Sequence, residues 1–341
     1  MNRGLKILLA MGLAMLTLAG HVPTAAADSV GYTVKASLPS NQLNKQAGYF
    51  DLLTQPRAQQ HLTIYISNTS NRQQSFNVSV TQAITNDNGV IDYSQLKPQL
   101  DQSLKVGIKD IFSRASNQKV TVPANARKQV TLTYTMPAKR LRGMILGGVY
   151  VEQIPGKTKK PTAHFTIQNA FAYAIGIELQ ESRQPVAPNL LLHQIQATQI
   201  NRRNFVTANL QNPEPGIMQK LKINARVTKV GATQTLIRQQ QSGLGMAPNS
   251  NFNFGIPWGT QNLPAGQYTL HLTAQAGKRD WQFTRNFTIA NRTVKRMNKT
   301  VLTPTQQPNY WLYALLGLLI ALLLAIIGYL WYRNRHQKSA K

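Results

Sequence analysis

The chain has no cysteine in 341 residues, which excludes disulfides, thiolate metal sites and cysteine nucleophiles. Animal surface receptors with an extracellular part of this size ordinarily carry disulfides, so their lack points to a bacterial surface, particularly a Gram-positive one. Acidic residues are nearly as scarce: 11 Asp and Glu stand against 38 Lys and Arg, for a formal charge of +27. Carboxylate catalysis therefore has few members to draw on. Asp87 and Asp92 are close enough in sequence to form a glycosidase pair, but they flank Asn88-Gly89 and read as turn residues. The six histidines (His21, His61, His164, His193, His271 and His336) are scattered without metal-ligand spacing, so neither metal nor cofactor is expected. Gly-x-Ser-x-Gly, a phosphate loop and His-Glu-x-x-His are all missing. Nothing in the sequence reads as an enzyme.

Helical periodicity is missing too, except at the two ends. Trp311 to Tyr332 runs without a charged residue and stops against Arg333, Arg335, His336, Lys338 and Lys341. About 20 apolar residues cross a hydrocarbon core as a helix, and this run is long enough. Trp311 and Tyr313 at one end, with Tyr329, Trp331 and Tyr332 at the other, fall where aromatic belts meet headgroups. The opposite end begins with basic Arg3 and Lys6, continues apolar from Ile7 to about Gly20, and reaches Ala25-Ala26-Ala27 before Asp28. These are the three parts of a secretory signal peptide, residues 1–27. The expected topology is a single-pass cell-membrane protein with an extracellular ectodomain and a cytoplasmic tail, residues 333–341. Leu302 to Pro308 holds no Leu-Pro-x-Thr-Gly, so transfer to the wall is not expected.

The positive charge is spread along the ectodomain. Setting aside two basic residues in the leader and four in the tail leaves 32 against all 11 acidic ones, or +21. So basic a surface attracts polyanions such as teichoic acid, anionic lipid or an acidic protein. No nucleic-acid motif is present, and nucleic acid is not expected as a partner.

What the ectodomain does have is alternation with period two. Leu62, Ile64 and Ile66 alternate with polar neighbours, as do Phe76, Val78 and Val80, and Val130, Leu132, Tyr134 and Met136. A second set comprises Phe171, Tyr173, Ile175, Ile177 and Leu179; Leu221, Ile223, Ala225 and Val227; Phe252, Phe254 and Ile256; Tyr268, Leu270 and Leu272; and Trp281, Phe283, Phe287 and Ile289. Asn88-Gly89 marks a hairpin, since both residues tolerate positive φ. The predicted fold class is all-β: two tandem immunoglobulin-like sandwiches, residues 28–155 and 156–291, a stalk over 292–310 and a transmembrane helix over 311–332. The boundary is placed at the polar loop Gln153 to Pro161, which contains Lys157, Lys159 and Lys160.

Several segments resemble the WxL-interacting proteins of Gram-positive bacteria. They are Tyr49-Phe50-Asp51-Leu52 with His61 to Asn68, Thr85 to Tyr93, Thr135-Met136-Pro137 with Arg142 to Val149, Asn169 to Ile175, and Met246 to Phe252. Their order spans most of the ectodomain. The resemblance implies a first domain associated with peptidoglycan, a second with host proteins, and partnership with WxL proteins that carry Trp-x-Leu motifs. None of Trp258, Trp281, Trp311 and Trp331 begins such a motif here, so the chain would be the tethered partner.

The function this implies is a membrane-anchored surface protein that holds WxL proteins and peptidoglycan, with possible contact to host matrix proteins. An immunoglobulin-like assembly chaperone and, less favoured, a wall-remodelling hydrolase are the alternatives. The candidate ligand-binding residues are Asn86, Asp87, Asn88, Asp92 and Tyr93, whose amide, carboxylate and phenol groups suit sugar hydroxyls, together with the aromatic–acid pair Tyr49 and Asp51. The glycines between Gly143 and Gly148 signal close backbone approach or a bulge.

Overall fold

A computed structural model of the chain describes residues 31–155, 171–259, 262–300 and 310–337. The signal peptide, the Lys157–Lys160 cluster, Asn169-Ala170, Leu302 to Pro308 and the last tail residues lie outside them. The described residues form two compact units. The first comprises residues up to Ala83, Asp92–Leu100 and Leu104–Val186; the second comprises Ile84–Ile91, Asp101–Ser103 and the chain from Ala187.

The strands of the first half are β1 (Tyr32–Ser37), β2 (Phe50–Leu53), β3 (Gln59–Asn68), β4 (Gln74–Gln82), the short pair β5 (Ile84–Thr85) and β6 (Ile91–Asp92), β7 (Gln118–Val122), β8 (Arg127–Thr135), β9 (Met144–Ile154) and β10 (Ala172–Gln180). A one-turn helix, α1 (Ile108–Ile111), precedes β7. Two sheets result in the first unit, ordered β1-β3-β8 and β2-β10-β9-β4-β7. Alternation makes each sheet apolar on one face, and those faces meet. Leu62 pairs with Leu132 and Ile64 with Val130 across β3 and β8. These residues join Phe76, Val78, Val149, Val151, Ile177 and Leu179 in one buried cluster. At roughly 1.5–3 kcal/mol per buried aliphatic or aromatic side chain, that cluster is the main stabilising term of the unit.

The second unit contains β11 (Leu191–Ile200), β12 (Arg203–Asn212), β13 (Met218–Lys229), β14 (Thr235–Met246), β15 (Ser250–Pro257), β16 (Gly266–Ala276) and β17 (Arg279–Ile289). Its sheets are ordered β11-β12-β15 and β14-β13-β16-β17. Leu221, Ile223, Ala225, Val227, Phe252, Phe254, Ile256, Leu270 and Leu272 form its core, as their alternation predicts. The architecture is all-β and immunoglobulin-like in both units.

Two elements differ from the sequence reading. Residues 172–180, read as the first strand of the second set, form β10 of the first unit. They run antiparallel to β9 from Ala172↔Glu152 to Gln180↔Met144 and parallel to β2. Alternation shows that a segment is a half-buried strand; it does not say which sheet the strand completes. The beginning of the expected stalk is instead a helix, α2 (Asn291–Asn298), that buries Met297 and half-buries Val294 against the second core. The Met297 carbonyl accepts the Gln199 amide at 2.8 Å. Two apolar residues three apart suffice for one contact stripe but leave no longer period to detect.

The last element is α3 (Tyr310–Gln337), within which Tyr313–Trp331 is long and apolar enough to cross a membrane. None of that span is buried among the described residues. The four-residue β2 occupies the edge of its five-stranded sheet, and residues 41–43 cover its outer side. Leu43 N–H donates to the Asp51 carbonyl at 2.7 Å, and Leu53 N–H donates to that of Asn41 at 3.1 Å. The Gln42 side chain accepts Asp51 N–H at 3.2 Å and donates to the Tyr49 carbonyl at 2.8 Å.

Candidate binding face

The hairpin at Asn88-Gly89 forms as the sequence predicts, but its groups are engaged within the second unit. Thr85 Oγ1 lies 2.5 Å from Ser250 Oγ and accepts the Ala247 N–H at 3.0 Å. The Gly89 carbonyl accepts Gly245 N–H at 2.8 Å. Gly89 has φ +69°, and a Cβ there would meet Leu244 Cδ2 at 2.8 Å, so glycine is required twice over. Asn86 Oδ1 accepts the N–H groups of Asn88 at 3.0 Å and Val90 at 3.2 Å, which fixes the turn. Asp87 Oδ1 accepts Asn253 N–H at 2.9 Å. Asn86 and Asp87 thus serve the conformation of the second unit, and they are not gathered with the other candidates.

Tyr49, Asp51, Asp92 and Tyr93 belong to the first unit, where three of them converge on the outer face of the five-stranded sheet. Phe50 and Leu52 point into the core, so Asp51 on β2 faces outward. Its register partner on β10 is Glu178, which faces outward between buried Ile177 and Leu179. Gln180 Nε2 donates to Asp51 Oδ1 at 3.2 Å. Next along the face, Gly176 on β10 pairs with Gly148 on β9. A Cβ on Gly148 would meet the Tyr93 ring at 3.0 Å, and one on Gly176 would touch the Tyr49 ring at 3.7 Å. The two phenols therefore lie over a floor of paired glycines. The Tyr93 carbonyl accepts Thr81 Oγ1 at 2.6 Å, holding that residue against β4. Tyr150 and Glu152 continue the outer face of β9, between inward-pointing Val149 and Val151.

The charges on this face act on one another. Burial, with the Asp51 carboxylate next, raises the Glu178 pKa from 4.5 to about 7. Burial together with the Glu178 charge and Tyr49 pushes the Tyr93 phenol up to about 12. Tyr49 is raised by burial, Glu178 and Asp51; Tyr150 is raised by burial, Glu152 and Asp92. Asp92 moves the other way. Burial would raise it, but the Ser94 hydroxyl and amide at 2.7 and 2.8 Å, with Gln95, hold it below the usual value. On a chain of net +27, four of the 11 acidic residues (Asp51, Asp92, Glu152 and Glu178) share this neighbourhood with three tyrosines. Carboxylates accept hydrogen bonds from hydroxyl or amino groups, and tyrosine faces pack against the C–H faces of sugars.

Glu178, Tyr150, Glu152 and Gly176 were not among the sequence candidates, whereas Gly148 was singled out for close backbone approach. Glu178 was visible as the charged break in the run from Tyr173 to Leu179, but its neighbours come from β2 and from residues 92–93. Among the described residues, no group of three or more His, Asp or Glu is placed to hold a metal ion.

The raised Glu178 pKa has a consequence for stability. An unfolded glutamate releases its proton near 4.5, whereas the folded chain keeps it to about 7. The folded state binds the extra proton between those values, so this contribution is full below the unfolded pKa and lost as pH rises through about 7. Glu178→Gln is expected to be more stable than the parent at about pH 8, by on the order of 2 kcal/mol after allowing for solvent screening, and equal to it at about pH 4. Thermal melts across that range check it; a pH-independent difference would refute it.

Two family models match the chain. Residues 32–153 match the WxL Interacting Protein, peptidoglycan binding domain, and residues 162–299 match the WxL Interacting Protein, host binding domain. Together they cover well over half of its length. No curated protein matches it. Among solved structures, it is similar to the Pseudomonas aeruginosa CupB2 chaperone at 12% identity, over 67% of this chain and 93% of that one, with a TM-score of 0.27. The E. coli chaperone DraB is 12% identical over 76% of this chain and 97% of its own, with a TM-score of 0.27. PapD-like domain 7 of human CEP192 is 14% identical over 48% of this chain and 92% of its own, with a TM-score of 0.29.

Proposed function

This chain belongs to the WxL-interacting proteins, and on that premise we propose that it is a membrane-anchored binding protein that holds a WxL-domain protein and peptidoglycan at the Gram-positive envelope. The observation that carries the reading is the order of parts: a peptidoglycan-binding-type domain, a host-binding-type domain, then an apolar helix long enough to cross a membrane. Attachment needs no reaction. α3 fixes the chain at the membrane with its ectodomain outside. Confinement there raises the local concentration of each binding face, so modest individual affinities add up to firm retention.

The peptidoglycan contact is assigned to the outer face around Gly148 and Gly176. Tyr49 and Tyr93 stack on sugar rings, while Asp51 and Glu178 accept hydrogen bonds from hydroxyl or amino groups. Aromatic and carboxylate groups together supply both the apolar and the polar half of such recognition. Host matrix protein is a further partner of the second domain.

The test uses the full chain in detergent, mixed with purified peptidoglycan or a WxL-domain protein from the same organism, at low and moderate salt. Capture that survives moderate salt is expected for both. Tyr49→Ala/Tyr93→Ala should reduce peptidoglycan capture about tenfold, the scale of losing two stacking contacts at roughly 0.5–1.5 kcal/mol each. Binding of the parent that vanishes at moderate salt would assign the attraction to net charge and end the proposal.

A further inference from the structure

The outer face of the β14-β13-β16-β17 sheet in the second unit carries an arrangement that the family reading does not use. Register places Gln240 opposite Asn224, Asn224 opposite Thr273, and Thr273 opposite Gln282. All four are exposed. They make one straight row of three carboxamides and a hydroxyl across four strands. A cleft of about 590 Å³ lies on this row, with Lys222, Gln275 and Asp280 beside it, whereas the Trp281 ring turns to the opposite, core-packed face. The indole is held in place by its N–H, which donates to Asn189 Oδ1 at 3.0 Å.

The next outward row is cationic. Arg238 pairs with Arg226, Arg226 with His271, and His271 with Thr284. No acidic residue stands in it. Like charges directly opposite on neighbouring strands are destabilising, so two facing guanidiniums are costly unless an anion lies between them. The cost also registers at His271, whose pKa is lowered by burial and then by Arg226. On the other side of the carboxamide row stand Lys222, its register partner Gln275 and, beyond it on the edge strand, Asp280, so the anionic substituents belong on the arginine side.

We infer that this face binds an acidic polysaccharide, its hydroxyls on the carboxamide row and its anionic substituents on the Arg226–Arg238 pair. Each carboxamide offers both a donor and an acceptor, which is what a hydroxyl needs. Each guanidinium can engage a carboxylate or sulfate through two parallel N–H groups. Neighbouring strands are roughly 4.8 Å apart, close to the rise of one pyranose along an extended glycan, so successive side chains meet successive sugars. An acidic peptide would leave the carboxamide row unused, and a neutral glycan would leave the arginines unpaired.

The experiment uses the full chain in neutral detergent at about 0.15 M salt, where charges beyond ~8 Å are largely screened. Immobilised heparin and hyaluronan are the acidic polysaccharides, polyglutamate supplies charge without sugar, and dextran supplies sugar without charge. Binding to heparin or hyaluronan, well above polyglutamate and dextran, is the expected result. Arg226→Gln/Arg238→Gln and, separately, Gln240→Ala/Gln282→Ala should each weaken it about tenfold or more. Lys45→Gln/Lys97→Gln removes the same two charges from exposed positions in the first unit and should change it less than twofold. Equal loss in the lysine pair, equal binding to polyglutamate, or no binding to either acidic polysaccharide would each overturn the inference. Melting temperatures check that the variants fold. Their undiminished capture of peptidoglycan would keep this result separate from the fate of the proposed envelope function.

Discussion

A chain stopped after Asn309 is expected to leave the membrane fraction completely. The span Tyr313–Trp331 carries no charge, and none of it is buried among the described residues. On insertion scales, each Leu, Ile or Phe near the centre of a span contributes roughly 0.3–0.6 kcal/mol. Summed over the eight leucines and three isoleucines of this span, the anchoring free energy is on the order of 3–7 kcal/mol, beyond what a basic surface gains at moderate salt. The measurement is fractionation of protoplasts at moderate salt, followed by alkaline extraction. The full chain should resist extraction and the truncated one should be recovered in the supernatant. A truncated chain that still resists extraction would show that some other segment holds the membrane.

Gly147→Ala should have the largest effect of any single methyl group added to the first unit. Gly147 is buried on β9, opposite Gln82 of β4. A Cβ there would lie 2.6 Å from the Thr81 carbonyl oxygen and 2.8 Å from two carbons of Ile108. The first of these is backbone in a central strand and cannot rotate away. Relief requires β4 and β9 to part or α1 to lift, and overpacking of that kind costs about 3 kcal/mol or more. The expected result is a melting temperature lower by roughly 10 °C, with unfolding confined to the first unit if the two melt separately. The neighbouring substitution supplies the contrast. At Gly148 the obstacles are the Tyr93 ring at 3.0 Å, a side chain able to give way, and the Ile175 carbonyl oxygen at 3.1 Å, a much looser backbone approach than the 2.6 Å at Gly147. Gly148→Ala should therefore retain most of the stability while disturbing the face proposed for peptidoglycan. Equal melting temperatures for the two variants would remove the argument for either role.

These glycines illustrate where sequence reading stops. Their crowding among apolar residues signals close approach, but which atoms approach depends on Thr81, Ile108 and Tyr93, brought in from elsewhere. The strand faces were legible because alternation is a local property. Leu62, Ile64 and Ile66, or Leu221, Ile223 and Ala225, are buried as their spacing predicts. Sheet membership is not local. β10 has the pattern of any half-buried strand, and only its register with β9 and β2 assigns it to the first unit.

The hairpin shows the same limit in its function. Asn88-Gly89 gives the turn, yet nothing near it in sequence announces that Asp87 will cap Asn253 or that Gly89 will abut Leu244. Conversely, Tyr49, Asp51 and Tyr93 were chosen for their chemistry alone, and the sheet brings them together through Glu178 and the paired glycines. The raised Glu178 pKa comes from burial first and the Asp51 carboxylate second, and both are tertiary.

The covered edge of β2 bears on how densely such a protein can be displayed. Molecules confined to a plane meet one another far more often than the same number free in solution. Under that crowding, an uncovered strand edge is a template on which sheets of neighbouring copies join. The bonds from Asn41, Gln42 and Leu43 occupy the exposed side of β2 before any neighbour arrives. At this edge, a rise in copy number adds separate molecules instead of seeding a polymer.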